Sequence, residues 1–250
     1  MTSSNASMQS AVPDVARTRA ELACAFRWTA RLDMHEATAN HYSAAVSDDG
    51  HEFLINREGF HFSEIRASDL AHVDSRSAEQ PEGLDPTAWA IHGAVHRNNP
   101  DVRCVLHTHA RSSTAVACLA DPVLPPIDQN AMRFFERVAI DSGFNGMGLD
   151  EEAERLSHMA SPGTPILLLG NHGVIALGDS VAQAFDNLYY FERACETWLT
   201  VLATGRAVSA VDPDVARMTA RQWQDYPEFA SNHFDALLRI LDREEPEFRN

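Results

Sequence analysis

The chain has little cysteine, little positive charge and no long apolar run. Its four cysteines, Cys24, Cys104, Cys118 and Cys195, form no C-x-x-C pair in 250 residues. A chain of this length needs no covalent staples, so the thiols are expected reduced, as in a cytoplasmic protein. Twenty basic side chains stand against 36 acidic ones, a formal net charge of −16. That excess repels phosphate backbones and anionic lipid, which argues against nucleic-acid and membrane partners. No apolar run approaches the ~20 residues needed to cross a bilayer. Residues 1–12 lack the apolar core of a signal peptide and are expected to form a disordered polar arm. Residues 13–250 are expected to form one domain with a helical C-terminal tail, because no repeat or linker divides them. Gly143, Gly146 and Gly148 are too scattered to make a phosphate-binding fingerprint between a strand and a helix.

What is present is histidine in a pattern. Arg103-Cys104-Val105-Leu106-His107-Thr108-His109-Ala110 and Leu167-Leu168-Leu169-Gly170-Asn171-His172-Gly173-Val174 each begin as an apolar run and end in histidine. Side chains on a strand repeat every two residues, so His107 and His109 point the same way. His172 closes a second run and precedes a glycine suited to a tight turn. Three imidazoles meeting at strand ends would hold a divalent metal with positions open for substrate. The plainer reading is polar residues satisfied at strand ends. His92 and His96, one helical turn apart, offer a second chelating pair or a packed helix face.

Along the chain, a helix is expected from Val12 to Met34, with Pro13 and Asp14 in its first turn. A loop leads to a strand at Tyr42–Val46, a turn at Asp48-Asp49-Gly50, and a return strand at His51–Asn56. Arg57-Glu58-Gly59 is a second turn, Ser68-Asp69-Leu70 a short turn or helical piece, and Ser75–Gly83 a loop. Asp85 caps a helix reaching Asn98, with Pro86 in its first position. Ser112 or Ser113 caps a short helix to Ala120. Gln129–Glu136 suggests another, before a strand at Val138–Asp141. A helix at Asp150–Ala160 precedes strands at Pro165–Gly170 and Val174–Leu177. The longest helix is Asp179–Leu202, and two more follow at Asp212–Trp223 and Phe234–Leu241. Strands in the middle and helices at both ends predict a mixed sheet covered by helices.

Pro86-Thr87-Ala88-Trp89-Ala90-Ile91-His92, His107-Thr108-His109 and Asn171-His172-Gly173 resemble the class II aldolase/adducin family. Phe53–Gly59, Ser68-Asp69-Leu70 and Val73-Asp74 fit in the same order, over roughly residues 15 to 205. The resemblance implies an α/β fold of three layers, α/β/α, with a central, mainly antiparallel sheet. It implies a homotetramer with sites near subunit boundaries, and one divalent metal (Zn, Mn or Fe(II)) on His107, His109 and His172. It also exposes departures. The glutamate that serves sugar-phosphate aldolases as acid/base is replaced by Ala88. A tyrosine acid of those enzymes falls near Gln129. At the phosphate-gripping positions stand His41, Glu58 beside Gly59, and Pro86 with Thr87. Pro86 offers no N–H, and Glu58 repels a dianion.

The expected substrate is therefore a small keto or hydroxy carboxylate without phosphate, met by His41, Ser43, Glu58, Gly59, Thr87 and Gln129. The expected chemistry is C–C cleavage, by aldol-type lysis or decarboxylation, with enolate charge stabilised by the metal. Glu36 and His92 are the expected catalytic acid/base residues; Asp128, Tyr226 and His233 are further candidates. The alternative is a three-histidine Fe(II) oxygenase that cleaves C–C bonds with dioxygen. A metal-free structural protein like the adducin head is disfavoured, since that branch lost histidines this chain retains.

Overall fold

The computed structural model describes residues 14–250 except 78, 145, 147, 148 and 150. The expected arm at 1–12, and the readings placed on Pro13, Gly148 and Asp150, lie outside the described residues.

Seven strands make one sheet in the order β3-β2-β1-β4-β7-β6-β5. They are β1 (His41–Ala45), β2 (Glu52–Ile55), β3 (Ala71–Asp74), β4 (Cys104–Thr108), β5 (Val138–Asp141), β6 (Ile166–Leu169) and β7 (Gly173–Gly178). Every neighbouring pair is antiparallel except β5 with β6, so the expected mainly antiparallel sheet is the one observed.

Strand alternation divides the side chains between two faces. Tyr42, Ala44, Leu54, Cys104, Leu106, Leu168 and Ala176 turn to one face. There they pack with Leu22 and Phe26 of α1 (Val15–Arg31), Phe185 and Phe191 of α6 (Val181–Ala203), and Phe234 and Leu241 of α8 (Glu228–Glu244). Val105, Leu167, Ile175 and Leu177 turn to the other face. They meet Ile91 and Val95 of α2 (Pro86–Asn98) and Leu156 of α5 (Glu151–Met159). Helices thus cover both faces, giving the three-layer α/β/α fold. The remaining helices are α3 (Arg111–Ala117), α4 (Gln129–Arg133) and α7 (Pro213–Gln224). The C-terminus is clasped to α1, where Trp28 Nε1 donates to Leu237 O at 3.1 Å and Arg27 pairs with Glu245 at 2.6 Å. No helix among the described residues is long and apolar enough to cross a membrane.

Several expected boundaries shift for physical reasons. α3 is not capped by Ser112 or Ser113. The Glu192 carboxylate, arriving from α6, accepts from Ser112 N at 2.7 Å and Ser113 N at 2.8 Å. α4 stops at Arg133, before a left-handed Glu136 at φ 58°. α8 begins at Glu228 rather than Phe234, because Pro227 opens it and Phe229 docks on Trp223, with ring centres 5.0 Å apart. β3 is a short edge strand that follows a 3-10 turn at Ala67–Asp69.

Candidate metal centre

The three histidines arrive from three neighbouring pieces of the sheet. His107 is the fourth residue of β4, and His109 follows just past its end. His172 sits in the β6–β7 turn, between Asn171 at φ 58° and Gly173. Asparagine tolerates that left-handed conformation better than most residues. Gly173 is there for a different reason: a Cβ would lie 2.6 Å from Thr108 O and 2.9 Å from His109 Cδ2. The turn is thereby pressed against the end of β4, and the rings converge. One nitrogen from each lies within 4.8 Å of the other two. Ring centres are 4.9 Å apart for all three pairs.

Hydrogen bonds behind the rings set which nitrogen is available. His107 Nδ1 meets Val174 O at 3.1 Å, and His109 Nδ1 meets Glu36 Oε2 at 2.7 Å. Both acceptors lack a proton, so each Nδ1 carries the hydrogen and each Nε2 keeps a lone pair. Those two Nε2 atoms face one another at 3.1 Å. Facing lone pairs repel unless a cation lies between them, so this donor set fits a divalent metal. His172 Nδ1 is also buried without a partner among the described residues. Burial holds His107 well below the ordinary imidazole pKa, with His41, His109 and His172 adding to it. It lowers His172 to about 4, with His109 adding to it. Both rings are therefore neutral and able to ligate near pH 7. The set is three imidazoles with no carboxylate in it.

The other expected residues fall into three groups. Glu36 reaches the centre, where its exposed carboxylate bonds His109 Nδ1 at 2.7 Å. His41 is on β1 with its Cα paired to His107, and the two ring centres are 4.8 Å apart. His92, expected as a catalytic acid/base, and Ser43, expected at substrate, are sealed at 0% exposure behind His41. His92 bonds His41 and Ser43, and His96 bonds Ser43, so the His92–His96 pair does not chelate.

Glu58 and Gly59 lie in the turn leaving β2, at the same end of the sheet as His41. Thr87 is tied to Asp85, which also caps α2 through Thr87 N and Ala88 N. Asp85 is therefore occupied, and Ala88 is buried among Phe53, Ile55 and Leu84. Gln129 instead lies with Thr219, Gln222, Trp223, Tyr226 and Phe229 in a separate cavity. Asp128 caps α4, His233 bonds Asp186, and Tyr226 is exposed. No described contact joins any of these four to the three histidines. The residue that sequence reasoning missed is Glu192, which fixes the turn after His109; only its helical spacing on α6 was visible.

Fold and site define a class of protein: an α/β domain presenting three convergent histidines at the end of a mainly antiparallel sheet. The Class II Aldolase and Adducin N-terminal domain matches residues 20–199, and the chain belongs to that family. A crystal structure of an aldolase II superfamily protein from Pseudomonas syringae is similar, at 32% identity and a TM-score of 0.85. It covers 96% of this chain and 98% of its own. A candidate aldolase class 2 protein of Pseudomonas aeruginosa is 30% identical, covering 93% of this chain and 92% of its own. Human beta-adducin is 31% identical over 79% of this chain, but only 29% of adducin is matched.

Proposed function

We propose that this chain is a divalent-metal-dependent lyase that breaks a C–C bond in a small, non-phosphorylated keto or hydroxy carboxylate. The observation that carries this reading is the approach of His107 Nε2 to His109 Nε2 at 3.1 Å, each ring held by an acceptor behind it. When bound, the metal supplies Lewis acidity to a substrate oxygen. All 20 of the chain's basic side chains are arginine, and it has no lysine. A Schiff-base route through a lysine amine is thus closed.

The surroundings favour a carboxylate over a phosphate. Glu58 adds negative charge at the sheet end where substrate would enter, and Pro86 removes an N–H from the start of α2. Ala88, packed in apolar surroundings, can neither ligate nor move a proton. Decarboxylation tolerates that loss better than aldol cleavage, because no base is needed to begin it. We place the protein in the cytoplasm as a homotetramer, folded as one domain over residues 13–250, in keeping with the family resemblance.

The test is turnover of a panel of such acids by anaerobic protein loaded in turn with Zn(II), Mn(II) and Fe(II). The expected result is C–C cleavage without oxygen. A requirement for both Fe(II) and dioxygen would replace the lyase with the oxygenase. Inertness with every metal and substrate would point to an adducin-like structural role.

A further inference from the structure

Between β1 and α2, behind the metal centre, four side chains form one hydrogen-bonded line, with the His41 backbone also beside the His41 and His92 rings. His41 Nδ1 meets His92 Nε2 at 2.8 Å, and His92 Nδ1 meets the Ser43 hydroxyl at 2.5 Å. The same hydroxyl meets His96 Nε2 at 2.7 Å. His41 is 4% exposed and the other three are 0%. No carboxylate joins the line among the described residues. At the inner end, His96 stacks on Phe53 and its Nδ1 is buried without a partner. At the outer end, His41 lies against His107, and its Nε2 bonds no described residue.

Each link needs one hydrogen, and each neutral imidazole carries one. The serine hydroxyl also has one, so it donates once and accepts once. Were it to accept from both rings, its own hydrogen would be buried and unpaired. Two arrangements remain, running in opposite directions. In the first, His96 carries its proton on Nδ1, and His41 Nε2 ends as a bare lone pair. In the second, His96 Nε2 donates to Ser43, Ser43 to His92 Nδ1, and His92 Nε2 to His41 Nδ1. His41 then carries its own proton on Nε2. The first arrangement leaves a buried N–H without an acceptor. The second leaves the bare nitrogen at His96 and puts the free N–H on His41 Nε2, which faces the site and is not among the fully buried unpartnered atoms; orphaned buried donors are the rarer fault.

We propose that this line fixes His41 as the neutral tautomer protonated on Nε2, a hydrogen-bond donor to a carbonyl or carboxylate oxygen of substrate beside the metal. A neutral imidazole can polarise an oxygen in this way. Giving the proton away for good would pull the whole line along and leave an anion on His96, with no buried group to offset it. His41 therefore donates a bond and keeps its proton. Ser43, His92 and His96 are positioning residues, since none reaches the site. The use of the donor rests on the lyase reading; the tautomer does not.

The tautomer can be read in the full chain, 15N-labelled, with and without Zn(II). Long-range 1H–15N spectra separate the two neutral forms, and His41 is identified as the signal lost in His41→Asn. The expected result is a single form protonated on Nε2, turning into a mixture in Ser43→Ala, where the line is cut. Turnover in Ser43→Ala is expected to fall on the order of tenfold at unchanged metal content. A wild-type His41 protonated on Nδ1, or a tautomer unmoved in Ser43→Ala, overturns the proposal. If Ser43→Ala does not fold, the wild-type spectrum decides alone. Failure of the lyase reading would appear in turnover and leave these spectra as they are.

Discussion

Glu36 and His109 are separated by 73 positions and joined by one bond: Glu36 Oε2 accepts from His109 Nδ1 at 2.7 Å. The carboxylate fixes the ring's tautomer and orientation as a ligand. Glu36→Ala is expected to weaken metal binding roughly 10–100-fold. Competition with a chromophoric chelator measures this. Affinity equal to wild type would show that His109 orients itself without help.

Gly173 is fixed by contact rather than by backbone twist, since a Cβ there would press on Thr108 O and His109 Cδ2. Gly173→Ala is expected to cost about 1–3 kcal/mol and to lower metal content together with thermal stability. Loss of stability with full metal loading would place the strain away from His109.

The buried histidine line makes stability sensitive to acid. Burial first, then neighbouring charge, holds His96 at about 3. His41 and His92 are pushed well below the ordinary value, by burial first and then by nearby histidines. In the unfolded chain each ring titrates near ~6.5. Between the two values the unfolded chain holds more protons. Stability is therefore complete above that unfolded value and falls as the pH drops towards the folded ones, by up to about 1.4 kcal/mol per pH unit per ring. Urea midpoints in chelator at about pH 7.5, 6 and 5 should decline in that order. A flat series would mean that these rings accept protons inside the fold.

Glu192 carries the start of α3 on one buried carboxylate. Glu192→Ala would leave Ser112 N and Ser113 N without their acceptor, at a cost of roughly 3 kcal/mol in urea denaturation. Stability near wild type would indicate that water takes the place of the carboxylate.

The convergence of the three histidines was legible because two local rules point to it. Period-two alternation sets His107 beside His109, and Asn171-His172-Gly173 reads as a turn. Glu36 and His41 were expected at the site, but the bonds they make there were not legible, because those contacts cross long stretches of chain. Glu36 lies in a loop with no periodicity. The spacing of His92 and His96 could be seen, but one helical turn suits a chelating pair and an inward-facing pair equally. Only the placement of β1 against α2 decides between them. The same limit applied to helix ends. Glu192 caps α3 from another helix, and the polar first turns of α8 give no apolar stripe to read. The layers themselves were readable, since the strands alternate and the long helices carry broad apolar faces.

His107 on β4 and His172 in the β6–β7 turn lie far apart in the chain, and a single ion gripping both would act as a removable rivet. Closing so long a stretch of chain costs entropy that the ion's binding energy offsets only in the folded state. Stripping the ion should therefore lower the melting temperature of the whole domain, and free metal in the buffer should raise it with concentration. A centre proposed for chemistry would then also govern how long the protein survives where metal is scarce.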